Sequence, residues 1–155
     1  MVAVHARVLA FLGRALSLEL SAVQQYMTQS ALAERWGDQQ AAERFRLETV
    51  EELRHAERLV QRMLSLGVAP ASSQLRPVTT AGDLLGLLRQ NAQLEAAQVD
   101  HYAEAVRFCQ LIGDHDNGAF FRELWNDELQ HGEDLAQWLG ELGGGRAGAM
   151  DRATF

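Results

Sequence analysis

Apolar residues recur along most of this chain at steps of three and four, the period of a helix with one buried face, and four stretches carry it. Over residues 4–36 the stripe reads Val8, Phe11, Leu12, Ala15, Leu18, Ala22 and Tyr26. Residues 38–66 continue it with Phe45, Leu59 and Met63 and stop at Gly67. In residues 81–112, after a Thr79-Thr80 pair placed to cap a helix, the inward face reads Leu84, Leu88, Asn91, Glu95, Gln98 and Tyr102. A fourth helix starts between Asp114 and Gly118 and carries Phe121, Leu124, Trp125, Leu135 and Trp138.

Gly37-Asp38 and Gly113-Asp114 separate the first from the second stretch and the third from the fourth. A helix can end on a left-handed Gly and the next begin on an Asp cap, so each pair predicts a tight antiparallel hairpin. Helices of about 30 residues would be about 45 Å long. The thirteen residues 68–80 include Pro70 and Pro77 and lack a helical period. Extended at about 3.3 Å each they reach roughly 43 Å, one bundle length. The expectation is an all-α four-helix bundle with a long crossover between helices 2 and 3. From Gly140 the chain is too rich in Gly for a stable helix, which predicts a bundle domain over residues 1–142 and a loose tail over 143–155.

Each apolar stripe is interrupted by acid at its middle. Glu19 is followed 33 residues later by Glu52-x-x-His55, and Glu95 is followed 33 residues later by Glu128-x-x-His131. Residues at i and i+3 share a helix face, so each Glu-x-x-His offers an oxygen and a nitrogen to one point. The predicted turns bring each single Glu level with its partner motif. Unpaired carboxylates would be costly there. One Glu from each of two helices and a Glu-x-x-His from each of the other two is the ligand set of di-iron and di-manganese bundles. The ordinary alternative, surface Glu and two incidental His, leaves the agreement of all six with both turns unexplained. Asp127 or Gln24 would hold the outer nitrogens of His55 and His131. Glu48 and Glu51 read as a solvated or interface face, His101 and His115 as exposed, and Trp36, Trp125 and Trp138 as packing or subunit contacts.

Two prolines and abundant Ala, Leu, Glu, Gln and Arg agree with helix. A net charge of −7 and the lack of a basic stripe exclude a nucleic-acid coat. Cys109 is alone, so there is no disulfide framework and no cysteine-held iron or zinc; it reads as a small buried hydrophobe. Arg14 and Glu19 interrupt the apolar run over residues 8–23, which argues against a signal peptide, and no stretch approaches a membrane span. A cytoplasmic setting is expected.

The run Leu18-Glu19-Leu20-Ser21-Ala22-Val23-Gln24-Gln25-Tyr26 resembles the first-helix ligand segment of the bacterioferritins, and Glu48-Thr49-Val50-Glu51-Glu52-Leu53-Arg54-His55-Ala56 resembles their second. Glu95 and Asp127-Glu128-Leu129-Gln130-His131 fall where that family's third and fourth helices carry theirs. The resemblance covers residues 8–142. It implies a ferritin-like bundle in which Glu52 and Glu128 bridge two irons, Glu19 and His55 complete one, and Glu95 and His131 the other, with Mn or Zn as substitutes. It implies iron storage and detoxification by a ferroxidase that oxidises Fe(II) to Fe(III) with O2 or peroxide. Tyr26 matches a tyrosine beside that site and is the candidate catalytic residue, as an electron donor or as a hydrogen-bond partner of a ligand. Where haem-binding members place a Met after the second-helix Glu, this chain has Leu53, so haem is not expected in a homo-oligomer. Leu47 replaces an inner-surface His, while Glu51 keeps a carboxylate where relatives have Asp. The Gly-rich tail does not resemble the short fifth helix of these shells. The expected assembly is a homo-oligomer, a 24-subunit shell or a mixed shell with a haem-binding subunit. The alternatives are a non-storage di-metal oxidase or peroxidase, and the di-iron subunit of such a mixed shell.

Overall fold

The computed structural model describes residues 3–151, with side chains through residue 143. It contains four helices, α1 (Ala6–Arg35), α2 (Gln39–Ser65), α3 (Leu84–Ile112) and α4 (His115–Asp151), and among the described residues no strand. Both hairpin turns form as their Gly-Asp pairs dictate. Gly37 and Gly113 take φ of 79° and 73°, where a side chain would be strained. Asp38 accepts from the Ala41 amide at 3.0 Å and Asp114 from the Asn117 amide at 3.1 Å, satisfying first-turn donors.

Residues 66–83 form the crossover. The Gln74 and Arg76 amides donate to Ser17 and Ser21, and Thr79 exchanges two hydrogen bonds with Gln25, so the segment runs along α1 in the direction of α1. It returns the chain to the far end of the bundle, as its length predicts. The cap of α3 is not Thr79-Thr80 but Asp83, which accepts from the Gly86 amide at 2.8 Å. Gln25 reaches Thr79 first and holds it in the extended crossover.

Helix α3 therefore runs antiparallel to α1. Their register is fixed by Gln29 and Asn91, which exchange amide hydrogen bonds of 2.7 and 2.8 Å, and by Phe11, whose carbonyl faces His101 at 2.9 Å. His101 is buried, contrary to its expected exposure, because α1 supplies this partner; His115 is exposed as expected. Two apolar clusters form the core. One gathers Leu12, Leu59, Val106, Phe121 and Leu124, the other Phe45, Leu87, Leu88, Leu135 and Trp138. Each fully buried leucine contributes about 1.5–3 kcal/mol. Between the clusters lies a polar section, where the acidic interruptions of all four stripes meet.

Helix α4 does not stop near Gly140 but continues to Asp151, correcting the expected break. A glycine costs about 1 kcal/mol against Ala. Extending an existing helix, however, adds a hydrogen bond per residue without new nucleation, and no proline follows to remove a donor. Residues 152–155, on which the expected loose tail also falls, lie outside the described residues. Cys109 is buried and unpaired among the described residues, where burial pushes its thiol up to about 11. No helix of the described residues is long and apolar enough to cross a membrane.

Candidate metal centre

The six carboxylate and imidazole residues singled out by spacing meet in the polar section, and Glu19, Glu52 and Glu128 are fully buried. On one side, His55 Nδ1 lies 3.6 Å from Glu19 Oε2, 3.6 Å from Glu52 Oε2 and 3.0 Å from Glu128 Oε1. On the other, His131 Nδ1 lies 2.9 Å from Glu52 Oε1 and 3.4 Å from Glu128 Oε2. Glu52 and Glu128 thus turn one oxygen toward each histidine, and the two rings stack with centroids 5.6 Å apart. Glu95 Oε2 faces α4 beside His131, where a Cβ on Gly132 would stand 4.0 Å away.

Four of these atoms, Glu52 Oε1, Glu95 Oε2, Glu128 Oε2 and His131 Nδ1, are buried with no hydrogen bond of adequate geometry. A buried carboxylate oxygen without a donor is costly, and a cation among them resolves the cost. Glu19, Glu52, His55 and Glu128 each present an atom within 4.8 Å of the others, as a single ion requires, and so do Glu48, Glu51 and His131. The set is oxygen-rich with one imidazole per side, which suits iron or manganese better than soft metals.

Protonation follows from the same geometry. Burial alone lowers a histidine pKa, but the carboxylates at Nδ1 outweigh it and push both His55 and His131 up to about 12. Burial, then the charge of Glu52, raises Glu19 well above the usual carboxylate range. Burial pushes Glu95 up to about 8 despite the hydrogen bond from Tyr26, and Glu48 up to about 7. Burial also acts on Glu52, but the carboxyl of Glu19 and the imidazoles of His131 and His55 crowded around it prevail and hold it below the usual range. Protons thus offset much of the buried negative charge, and a cation would replace them.

The surrounding groups were only partly visible in the sequence. Asp127 Oδ2 lies 3.3 Å from His55 Nε2 as expected, and Arg58 anchors it at 3.2 Å. His131 Nε2 pairs not with Gln24 but with Glu51, at 2.5 Å, because α2 packs antiparallel to α4 and places position 51 opposite His131. Glu51 is therefore more than a solvated acid, and Glu48 is partly buried with Oε2 3.9 Å from His131 Nδ1. Tyr26 donates to Glu95 Oε1 at 2.7 Å. Tyr102, unassigned from sequence, makes the matching bond to Glu19 Oε1 at 2.5 Å. The signal was present, since Glu19 to Tyr26 and Glu95 to Tyr102 share one spacing. The outer edges of both histidines line a surface cavity of about 410 Å³ with Glu51, Arg54, Arg58 and Asp127. Of the three tryptophans, Trp138 packs against Phe45 under Arg44, Trp125 is half-buried, and Trp36 stays exposed at the first turn.

Comparison with known proteins bears on the family and the fold. The family model described as Ferritin-like domain matches residues 9–144. The chain is 32% identical to a bacterioferritin of Rhodobacter capsulatus over 126 residues, covering 81% of this chain and 78% of that one. It is 29% identical to a bacterioferritin of Brucella melitensis over 150 residues, covering 95% and 93%. A solved structure of Rhodobacter capsulatus bacterioferritin, described as having a metal-free dinuclear site and a haem iron in a crystallographic special position, superposes with a TM-score of 0.85. It is 30% identical, with 90% of this chain and 87% of that one covered.

Proposed function

The chain belongs to the bacterioferritin family of ferritin-like proteins, and on that premise we propose that it stores and detoxifies iron by oxidising Fe(II) to Fe(III) at a di-metal centre within one subunit. The observation that carries this reading is the splitting of Glu52 and Glu128, each with one oxygen toward His55 and one toward His131. Carboxylates so placed can bridge two ions. Glu19 and His55 would complete one position and Glu95 and His131 the other. Two Fe(II) substrate ions held together can each give up one electron, the pair that reduces O2 to peroxide or peroxide to water.

The protein's own part is positioning and charge. Asp127, 3.3 Å from His55 Nε2, and Glu51, hydrogen-bonded to His131 Nε2, keep Nδ1 of each ring turned inward. Hard oxygen donors favour the Fe(III) product. Tyr26, one hydrogen bond from Glu95, is the residue we assign to the redox step. The cavity outside His55 and His131 is acidic and basic by turns, and Glu51 at its wall suits the passage of a divalent cation.

Val50 and Leu53 on α2 and Met27 on α1 are large apolar side chains left exposed, which supports assembly with further copies. Leu53 has no atom able to ligate iron, so haem is assigned only to a partner that brings its own ligand. A reducing cytoplasm suits the unpaired Cys109. We assign the di-metal bundle to residues 1–142, with the remainder of α4 extending beyond it. The test is Fe(II) oxidation followed optically in Glu128→Ala against wild type. Loss of rapid oxidation in a folded, assembled variant is expected, and an unchanged rate would remove the site assignment.

A further inference from the structure

A shift of 76 residues carries Glu19, Tyr26, Glu52 and His55 onto Glu95, Tyr102, Glu128 and His131, so the two halves of the centre match in their principal donors. They do not match in their surroundings. Gln98 on α3 has Ala22 as its counterpart, and Glu48 on α2 has Leu124. Gln98 is fully buried, and its Nε2 donates to Glu19 Oε2 at 3.1 Å and to Glu52 Oε2 at 3.2 Å. These are the two oxygens that His55 Nδ1 faces at 3.6 Å. Turning the amide over would set its oxygen against two carboxylate oxygens, so the nitrogen belongs where it stands, and Gln98 Oε1 is left without a partner. An amide N–H group here does for the carboxylates what a cation would do.

Around His131 no such donor lies among the described residues. Ala22 has no polar side-chain atom, and Glu48 adds a buried carboxylate oxygen without a hydrogen-bond partner. Both differences act in one direction. They favour a cation at the Glu95–His131 half and oppose one at the Glu19–His55 half.

We propose that Gln98 is a built-in occupant of the Glu19–His55 half, so that a first divalent cation takes the Glu95–His131 half and a second must displace the amide. This rests on the di-metal reading and adds an order of filling to it. The two-electron step needs both ions, so oxidation would begin only when Fe(II) is abundant enough to move Gln98. A protein holding one ion would wait.

The probe is Co(II), added to assembled protein stripped of metal and followed by its visible absorption. Wild type is expected to bind two ions per chain, the second at least tenfold more weakly. In Gln98→Ala the second event should tighten by about tenfold, the order of a hydrogen bond to a charged group. Because the amide stabilises only the metal-free form, that variant should melt lower than wild type without metal and level with it when loaded. Gln98→Met keeps the side-chain volume and repeats the test if Ala loosens the fold. A second affinity unchanged or weakened in both variants, or equal affinities in wild type, overturns the role of Gln98 while two bound ions keep the di-metal reading. Wild type binding no Co(II) would instead remove that reading, and this proposal with it.

Discussion

Adding two equivalents of Zn(II) to metal-free protein at pH 7 should release about three protons or more per chain. The number comes from the site. His55 and His131, pushed up to about 12, each hold a proton that a metal-bound imidazole nitrogen cannot keep. Glu95, pushed up to about 8, holds a third. Glu19, raised above its usual range by burial and the charge of Glu52, adds to the release in the same direction. Glu48, near 7, adds a fraction if it moves toward the second ion. Protons that leave as divalent ions enter limit the change in buried charge, which is why the apolar clusters on either side can tolerate both states. The affinity for the pair should rise by about three decades or more per pH unit near neutrality. At pH 9.5 the Glu95 proton is already gone and the release should fall by about one. The assay is a pH indicator in weakly buffered solution, checked by calorimetry in buffers of different ionisation enthalpy. Release of about one proton at pH 7 would refute the reasoning, because the imidazoles would then be neutral before metal arrives.

Linkage gives a second expectation. Glu19 and Glu95 are raised acids and His55 and His131 raised bases, so the folded metal-free chain holds more protons than the unfolded one. Its melting temperature should therefore fall as pH rises from about 5 to 9, a decline absent from the metal-loaded protein; a rise over that window would contradict the assigned shifts. Asp127→Ala removes the partner of His55 Nε2 and should weaken metal binding by roughly 10–100-fold at one position, measured by Co(II) titration, with the helices intact by circular dichroism. Haem added to the purified protein should give no stoichiometric Soret band, since Leu53 cannot ligate it. Light scattering should show a shell of roughly 413 kDa if 24 copies of the 17.2 kDa chain assemble, and a monomer or dimer would shift the function toward a soluble di-metal oxidase.

Much was determined by the sequence alone, because helical period and turn chemistry are local. Four stripes, two Gly-Asp turns and a proline-bearing link long enough to span the bundle specify the hairpins and the crossover. Those in turn bring Glu19 level with Glu52 and Glu95 level with Glu128. What depended on packing between helices was not legible. The cap of α3 moved to Asp83 because Gln25 of α1 holds Thr79. His101 was buried by a carbonyl of another helix, and Glu51 reached His131 through the α2–α4 register. The continuation of α4 past Gly140 reflects helix cooperativity, which a residue-by-residue propensity does not contain. Sequence spacing also made the two halves of the centre look alike. Only the tertiary structure separated them, because whether Gln98 is a core amide or a partner of Glu19 and Glu52 depends on which side chains three different helices bring within hydrogen-bonding distance.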